Sequence, residues 1–85
     1  MPKIPRDLSG DKLAKLFRRY DYRVIRRSGS HIRLASNRKK NEHKITIPAH
    51  DPVKIGTLNN ILADVAEYLE ISKQDLVKEL FGKNF

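Results

Sequence analysis

No cysteine and no tryptophan occur in these 85 residues, and methionine appears once. Without cysteine, disulfide staples and thiolate metal sites are both excluded, which fits a reducing, cytoplasmic setting. No apolar run exceeds a few positions, so a membrane-spanning helix, which needs about 20, is not expected. The opening MPKIPRDLSG carries positive charge but no apolar stretch of the signal-peptide kind, and export is not expected either. Also missing are an internal repeat, a low-complexity segment, a Gly-rich phosphate loop, an H-E-x-x-H helix and the G-x-S-x-G elbow of hydrolases. His31, His43 and His50 stand 12 and 7 residues apart, a spacing of no common zinc pattern, so neither a metal nor another cofactor is expected.

Positive charge is what the chain has in excess. The formal net charge is +8, and it is unevenly placed: residues 1–54 hold 15 of the 18 Lys/Arg and five of the ten Asp/Glu, for +10, which leaves −2 on residues 55–85. A basic half beside a mildly acidic one points to a polyanion on one side, because each phosphate neutralised by Lys or Arg releases condensed counterions. The plainer alternative is a generally cationic, soluble surface. With 39% hydrophobic and 33% charged residues, the chain is too apolar for disorder. At this length roughly 60 to 65% of the unfolded surface is buried, enough for one core. Residues 1–85 are therefore read as a single domain with its core over about 8–80.

Periodicity supplies the elements. In LSGDKLAKLFRRY, Ser9 caps a helix whose Leu13, Leu16, Phe17 and Tyr20 make one buried stripe. Lys12, Lys15, Arg18 and Arg19 fall off that stripe, either as a solvated face or, only if that face adjoins the open sheet, as a backbone-tracking patch. YRVIRRS and HIRLAS flank Gly29-Ser30, the signature of a two-residue hairpin with positive φ at the glycine. A polar turn leads to a third strand, HKITIP. A loop with Pro52 and Gly56 follows, and Thr57 is the expected cap of a long helix carrying Leu58, Ile61, Leu62, Val65, Ala66 and Leu69. Ser72 through Asp75 has the capping-box pattern and opens a short last helix with Leu76, Val77, Leu80 and Phe81 inward. The fold class is α+β, in the order α-β-β-β-α plus a short C-terminal helix, with a three-stranded antiparallel sheet and helices on one face.

Strand alternation then populates the open face. Ile32, Leu34, Ile45 and Ile47 point to the core, and His31, Arg33, Lys44 and Thr46 point away. A two-residue turn sets Ser28 opposite His31 and Arg26 opposite Arg33. The same counting sends Ile25 into the core beside Leu34, puts Val24 and Ala35 on the exposed side, and leaves Arg27 at the turn. One histidine among cations suits RNA phosphodiester chemistry: imidazole titrates near neutral pH and exchanges protons at modest cost, and guanidinium groups offset charge growing on the phosphate. A passive ligand contact at His31 is the competing reading. His43, in phase with Ile45 and Ile47, reads as a satisfied, partly buried residue. His50 reads as a loop residue making a structural hydrogen bond, with Asp51 as a candidate partner. Phe17, Tyr20, Tyr22, Tyr68, Phe81 and Phe85 do not form the strand-borne stacking platform of single-strand RNA binders.

Three stretches in order, GDKLAKLFRRYDYRVIRRSGSHIRL, KITIPAHDPVKIGTLNNIL and ISKQDL, resemble the HicA-type mRNA interferase toxins of bacterial toxin-antitoxin modules. The resemblance spans roughly residues 8–80. Its most specific parts are Gly29-Ser30-His31, Ile47-Pro48 with His50, and Lys54 through Leu58. It implies a fold like that of double-stranded RNA-binding domains, mRNA cleavage with a catalytic histidine at His31, and neutralisation by a HicB-type antitoxin encoded alongside. Asp21 stands where the family has a glycine, and the second helix region is longer than in short members. The expected function is thus a metal-independent endoribonuclease toxin in the cytoplasm, with RNA and the antitoxin as partners and no membrane. His31 would act as general base or general acid. Arg26, Arg27, Ser28, Gly29, Ser30, Arg33 and Lys44 would bind the RNA: Arg26, Arg27, Arg33 and Lys44 hold the phosphate, and Gly29 and Ser30 fix the histidine. The alternatives are a noncatalytic RNA-binding module of similar fold and a protein-binding adaptor.

Overall fold

A computed structural model describes residues 4–82, so Phe85 lies outside the described residues. The chain runs through α1 (Gly10–Phe17), a 3-10 turn (Arg18–Tyr20), β1 (Tyr22–Ser28), β2 (His31–Ser36), β3 (His43–Pro48), α2 (Ile55–Leu69) and α3 (Lys73–Phe81). The strands form one antiparallel sheet in the order β1-β2-β3. This is the α+β layout of double-stranded RNA-binding domains, with the additional C-terminal helix.

Ser9 starts α1 as expected: it is extended, and its hydroxyl accepts the Lys12 N–H at 3.1 Å, satisfying one of the first-turn donors that a helix leaves unpaired. Gly10 brings the helix onto the sheet. A Cβ there would sit 2.2 Å from the Pro48 carbonyl oxygen, and the Gly10 N–H donates to the His50 carbonyl at 2.9 Å. No larger residue fits this approach, which fixes the start of α1 against the end of β3. Leu13, Ala14 and Phe17 are buried, and Leu16 is half-buried against the same cluster. At the other end Asp21 takes φ 66°, the left-handed region that glycine enters most readily and that Asp and Asn tolerate. The turn into β1 survives the exchange of glycine for aspartate.

The hairpin has the expected register, with Ser28 opposite His31 and Arg26 opposite Arg33, and Gly29 takes φ +57°. Two residues further in, the expectation fails. The pairing skips Ile25, which sits in a β-bulge between Val24 and Arg26; Val24, not Ile25, lies opposite Leu34, and Ile25 is 43% exposed. A bulge puts two residues of one strand against one of its neighbour and so resets the alternation. Its effect is to bring Tyr22 to the core side, where it is buried opposite Ser36. Ala35 also differs from expectation, being fully buried. It lies between Arg23 and Lys44 in the register, and both of these reach Glu42, at 3.8 and 3.9 Å. Two long side chains drawn to one carboxylate close over a methyl group.

The start of α2 is likewise earlier than Thr57. Lys54 is the N-cap, with φ −61° and ψ 141°, and its carbonyl already accepts the Leu58 N–H at 2.9 Å. Gly56 and Thr57 therefore occupy the first turn. Leu58, Ile61, Leu62, Val65, Ala66 and Leu69 are buried as the spacing predicts. Ser72 caps α3 by accepting the Asp75 N–H at 3.0 Å, and Leu76, Val77 and Leu80 are buried. Residues from all three helices and all three strands join one hydrophobic cluster. Among the described residues, no helix is long and apolar enough to cross a membrane.

Candidate nucleic-acid interface

The sheet turns one face away from the helices, and its hairpin end forms a depression of about 270 Å³ lined by Arg26, Ser28, His31, Arg33 and Thr46. The pairing explains the grouping. Ser28 and Pro48 flank His31 across the strands, and Arg26 and Thr46 flank Arg33. All five lining residues are exposed. No carboxylate lines the depression, and among the described residues the side chains of His31, Arg26 and Arg33 take part in no ion pair or hydrogen bond. An imidazole with both nitrogens available beside two uncommitted guanidinium groups can donate to, accept from and electrostatically hold an anionic ligand.

The remaining sequence-predicted residues are placed differently from one another. Gly29 and Ser30 form the exposed turn, and the Ser30 carbonyl accepts the Ala49 N–H at 2.6 Å, which ties the hairpin tip to the chain leaving β3. Lys44 lies on the open face farther from the turn, opposite Ala35 and 3.9 Å from Glu42. Arg27 is not with them. It lies opposite the core residue Ile32, and its guanidinium pairs with Asp11 of α1. The structure adds Thr46 to the lining. Alternation places it on this face, but a threonine in a strand is ordinary, and only its register opposite Arg33 singles it out.

His43 stands in a different setting. The Tyr22 hydroxyl lies 2.6 Å from its Nδ1, and Asp64 Oδ1 lies 3.3 Å from its Nε2. The consistent assignment has Tyr22 donating to Nδ1 and the Nε2–H donating to Asp64. Asp64 and Tyr68, one turn apart on α2, meet His43 from the same helix face, and the Tyr68 ring stacks on the imidazole at 4.6 Å with 13° between planes. The Tyr68 hydroxyl donates to the Asn41 carbonyl at 2.7 Å and accepts the Lys39 N–H at 2.8 Å. Burial, with further contributions from Tyr68 and Asp64, pushes the Tyr22 phenol well above its ordinary value. Tyr22 is 1% exposed and its hydroxyl is taken up by His43, so the array is a strut between β3 and α2. At His50 the structural bond is made by the backbone carbonyl to Gly10, not by the ring, and no His50–Asp51 pair occurs among the described residues. No three His, Asp or Glu side chains among the described residues gather into a group able to hold a metal ion.

Residues 10–66 match the family described as HicA toxin of bacterial toxin-antitoxin systems. The chain belongs to this family. The matched span takes in the hairpin, the whole sheet and most of α2, and it ends before α3. It follows that the protein is a toxin-class component of a toxin-antitoxin pair. No curated protein and no solved structure gives a significant match to the chain.

Proposed function

We propose that this HicA-family chain is an endoribonuclease that cuts messenger RNA at the His31 depression and is restrained by a HicB-type antitoxin. The observation that carries the reading is a solvent-facing imidazole with no internal partner among the described residues, set beside the facing Arg26 and Arg33 in a depression lined by no carboxylate. Family membership supports the toxin role.

The reaction is internal transfer. The ribose 2′-oxygen bonds to phosphorus, the bond from phosphorus to the 5′-oxygen breaks, and the products are a 2′,3′-cyclic phosphate and a 5′-hydroxyl. One proton leaves the 2′-oxygen and one reaches the 5′-oxygen, and His31 handles one of the two transfers. Arg26 and Arg33 face the charge that grows on the phosphate oxygens, where fixed cations act most strongly. Lys44 extends the same positive surface along the strand direction and holds a neighbouring phosphate. Ser28 and Thr46 offer hydroxyls at the two sides of the depression. Gly29 and Ser30, anchored to Ala49, hold His31 at the hairpin end. Arg27, committed to Asp11 on the other side of β1, is not part of the proposed set.

The test is cleavage of a defined RNA in EDTA by the wild-type chain and by His31→Ala. The expected result is cyclic-phosphate ends from the wild type and a rate about 10²- to 10⁴-fold lower from the variant. Equal rates would remove His31 from the mechanism. Salt-sensitive RNA binding without cleavage by the wild type, at every pH from about 5 to 9, would leave a noncatalytic RNA-binding module.

A further inference from the structure

On the opposite side of β1 from His31 lies a second concavity, a groove of about 600 Å³ between α1 and the edge of the sheet, lined by Asp11, Ala14, Lys15, Arg18, Arg23, Val24 and Arg27. It resolves the question left by the helix sequence. Lys15 and Arg18 do adjoin the sheet, but at its edge, and Lys12 and Arg19 are not among the lining residues. Four cations face the groove against one carboxylate; Arg27 is paired with that carboxylate, Asp11, and Arg23 with Glu42 outside the groove. Lys15 and Arg18 have no acidic partner among the described residues. Val24, which lines the groove, is 45% exposed although it lies opposite Leu34, and its neighbour Ile25 in the bulge is 43% exposed, so two adjacent apolar side chains of β1 stand in solvent.

We infer that this groove is the docking surface for the acidic antitoxin partner, separate from the RNA-cleaving depression; the inference rests on the toxin reading above. Charge selects the partner's sign, because Lys15 and Arg18, unpaired beside the Arg27–Asp11 and Arg23–Glu42 pairs, leave a positive potential that carboxylates complement. Apolar exposure selects its class. Adjacent Val and Ile side chains on an edge strand match the apolar centre and charged rim of a protein interface, whereas a phosphate backbone gains nothing from them. β1 is an edge strand, yet the bulge at Ile25 breaks the regular row of outward backbone groups, so recognition falls on side chains rather than on a continued β-ladder. Carboxylates of the partner would meet Lys15 and Arg18 and draw Arg27 away from Asp11.

The experiment measures binding of the polypeptide encoded by the adjoining reading frame to the full-length chain, together with RNA cleavage by each variant. Lys15→Glu with Arg18→Glu should weaken binding about 30-fold or more and leave cleavage unchanged. Both residues are exposed, Lys15 on α1 and Arg18 at the start of the 3-10 turn, so the fold should tolerate the changes. Ile25→Ser, which removes the apolar contact without altering charge, should weaken binding several-fold with cleavage again unchanged. Binding that neither change weakens overturns the docking surface while leaving the nuclease reading intact. Unchanged binding with reduced cleavage overturns it in favour of an RNA track. A wild-type chain that cleaves RNA but binds no adjoining product overturns the docking inference and the antitoxin part of the reading together.

Discussion

His31 and His43 are each the first residue of a strand, on neighbouring strands of one sheet, and they have opposite fates. His31 faces solvent with Arg26 and Arg33 beside it and with no internal bond. His43 is stacked on Tyr68, hydrogen-bonded through Nδ1 to Tyr22 and through Nε2 to Asp64. The first end of the sheet leaves its polar groups uncommitted; the second satisfies all of them inside the molecule. One residue type is thus left free where the surroundings offer only cations, and bound into the structure where they offer a carboxylate and a phenol. The contrast should show as a division between activity and stability.

The largest effect is expected at His31. His31→Ala should lower RNA cleavage by about 10²- to 10⁴-fold while the urea midpoint stays at the wild-type value, because no internal contact is lost. Loss of stability in this variant would break the contrast. His43→Ala should do the reverse, costing about 2 to 3 kcal/mol in urea denaturation, since it leaves a buried Tyr22 hydroxyl unpaired and removes a stacked ring. Its cleavage rate, measured well below the denaturation midpoint, should match the wild type. Tyr22→Phe is milder. It removes one donor and keeps the packing, so about 1 kcal/mol is expected by the same measurement.

The smallest effect separates the sealed end by pH. Tyr20, buried and donating to Glu79 at 2.7 Å, is pushed up to about 12, by burial first and by Glu79 second. The folded state therefore favours the protonated phenol. Its contribution is complete below the ordinary tyrosine value near 10 and drains away as the pH rises toward about 12. Tyr22 acts in the same sense. Stability of the wild type should fall between pH 10 and 12 more steeply than that of Tyr20→Phe; parallel curves would remove Tyr20 as the cause.

Much of this was legible in the sequence, and the reasons differ by residue. The helix stripes, both serine caps and the hairpin followed from local periodicity and turn chemistry, so His31, Arg26, Arg33 and Ser28 fall on one face by pattern alone. Strict alternation carried that reading only as far as the bulge. A bulge is a choice made by tertiary packing, here the burial of Tyr22, and nothing in VIR announces it. For the same reason Ile25 and Val24 were exchanged and the surface role of β1 was hidden. Arg27 looked like part of the hairpin cluster because sequence proximity does not say which side of a strand a residue faces once α1 supplies Asp11. Thr57 had the chemistry of a cap, but Lys54 at the end of the loop had the backbone geometry. Asp64 and Tyr68 were invisible as partners of His43, since their meeting depends on how α2 crosses β3.

The Gly10 contact reaches further than one helix. With its amide on the His50 carbonyl and its missing side chain over the Pro48 carbonyl, Gly10 joins the beginning of the folded chain to the strand beside His31. During synthesis α1 emerges before β3, so this join, and with it the Thr46 side of the His31 depression, forms only once the third strand has been made.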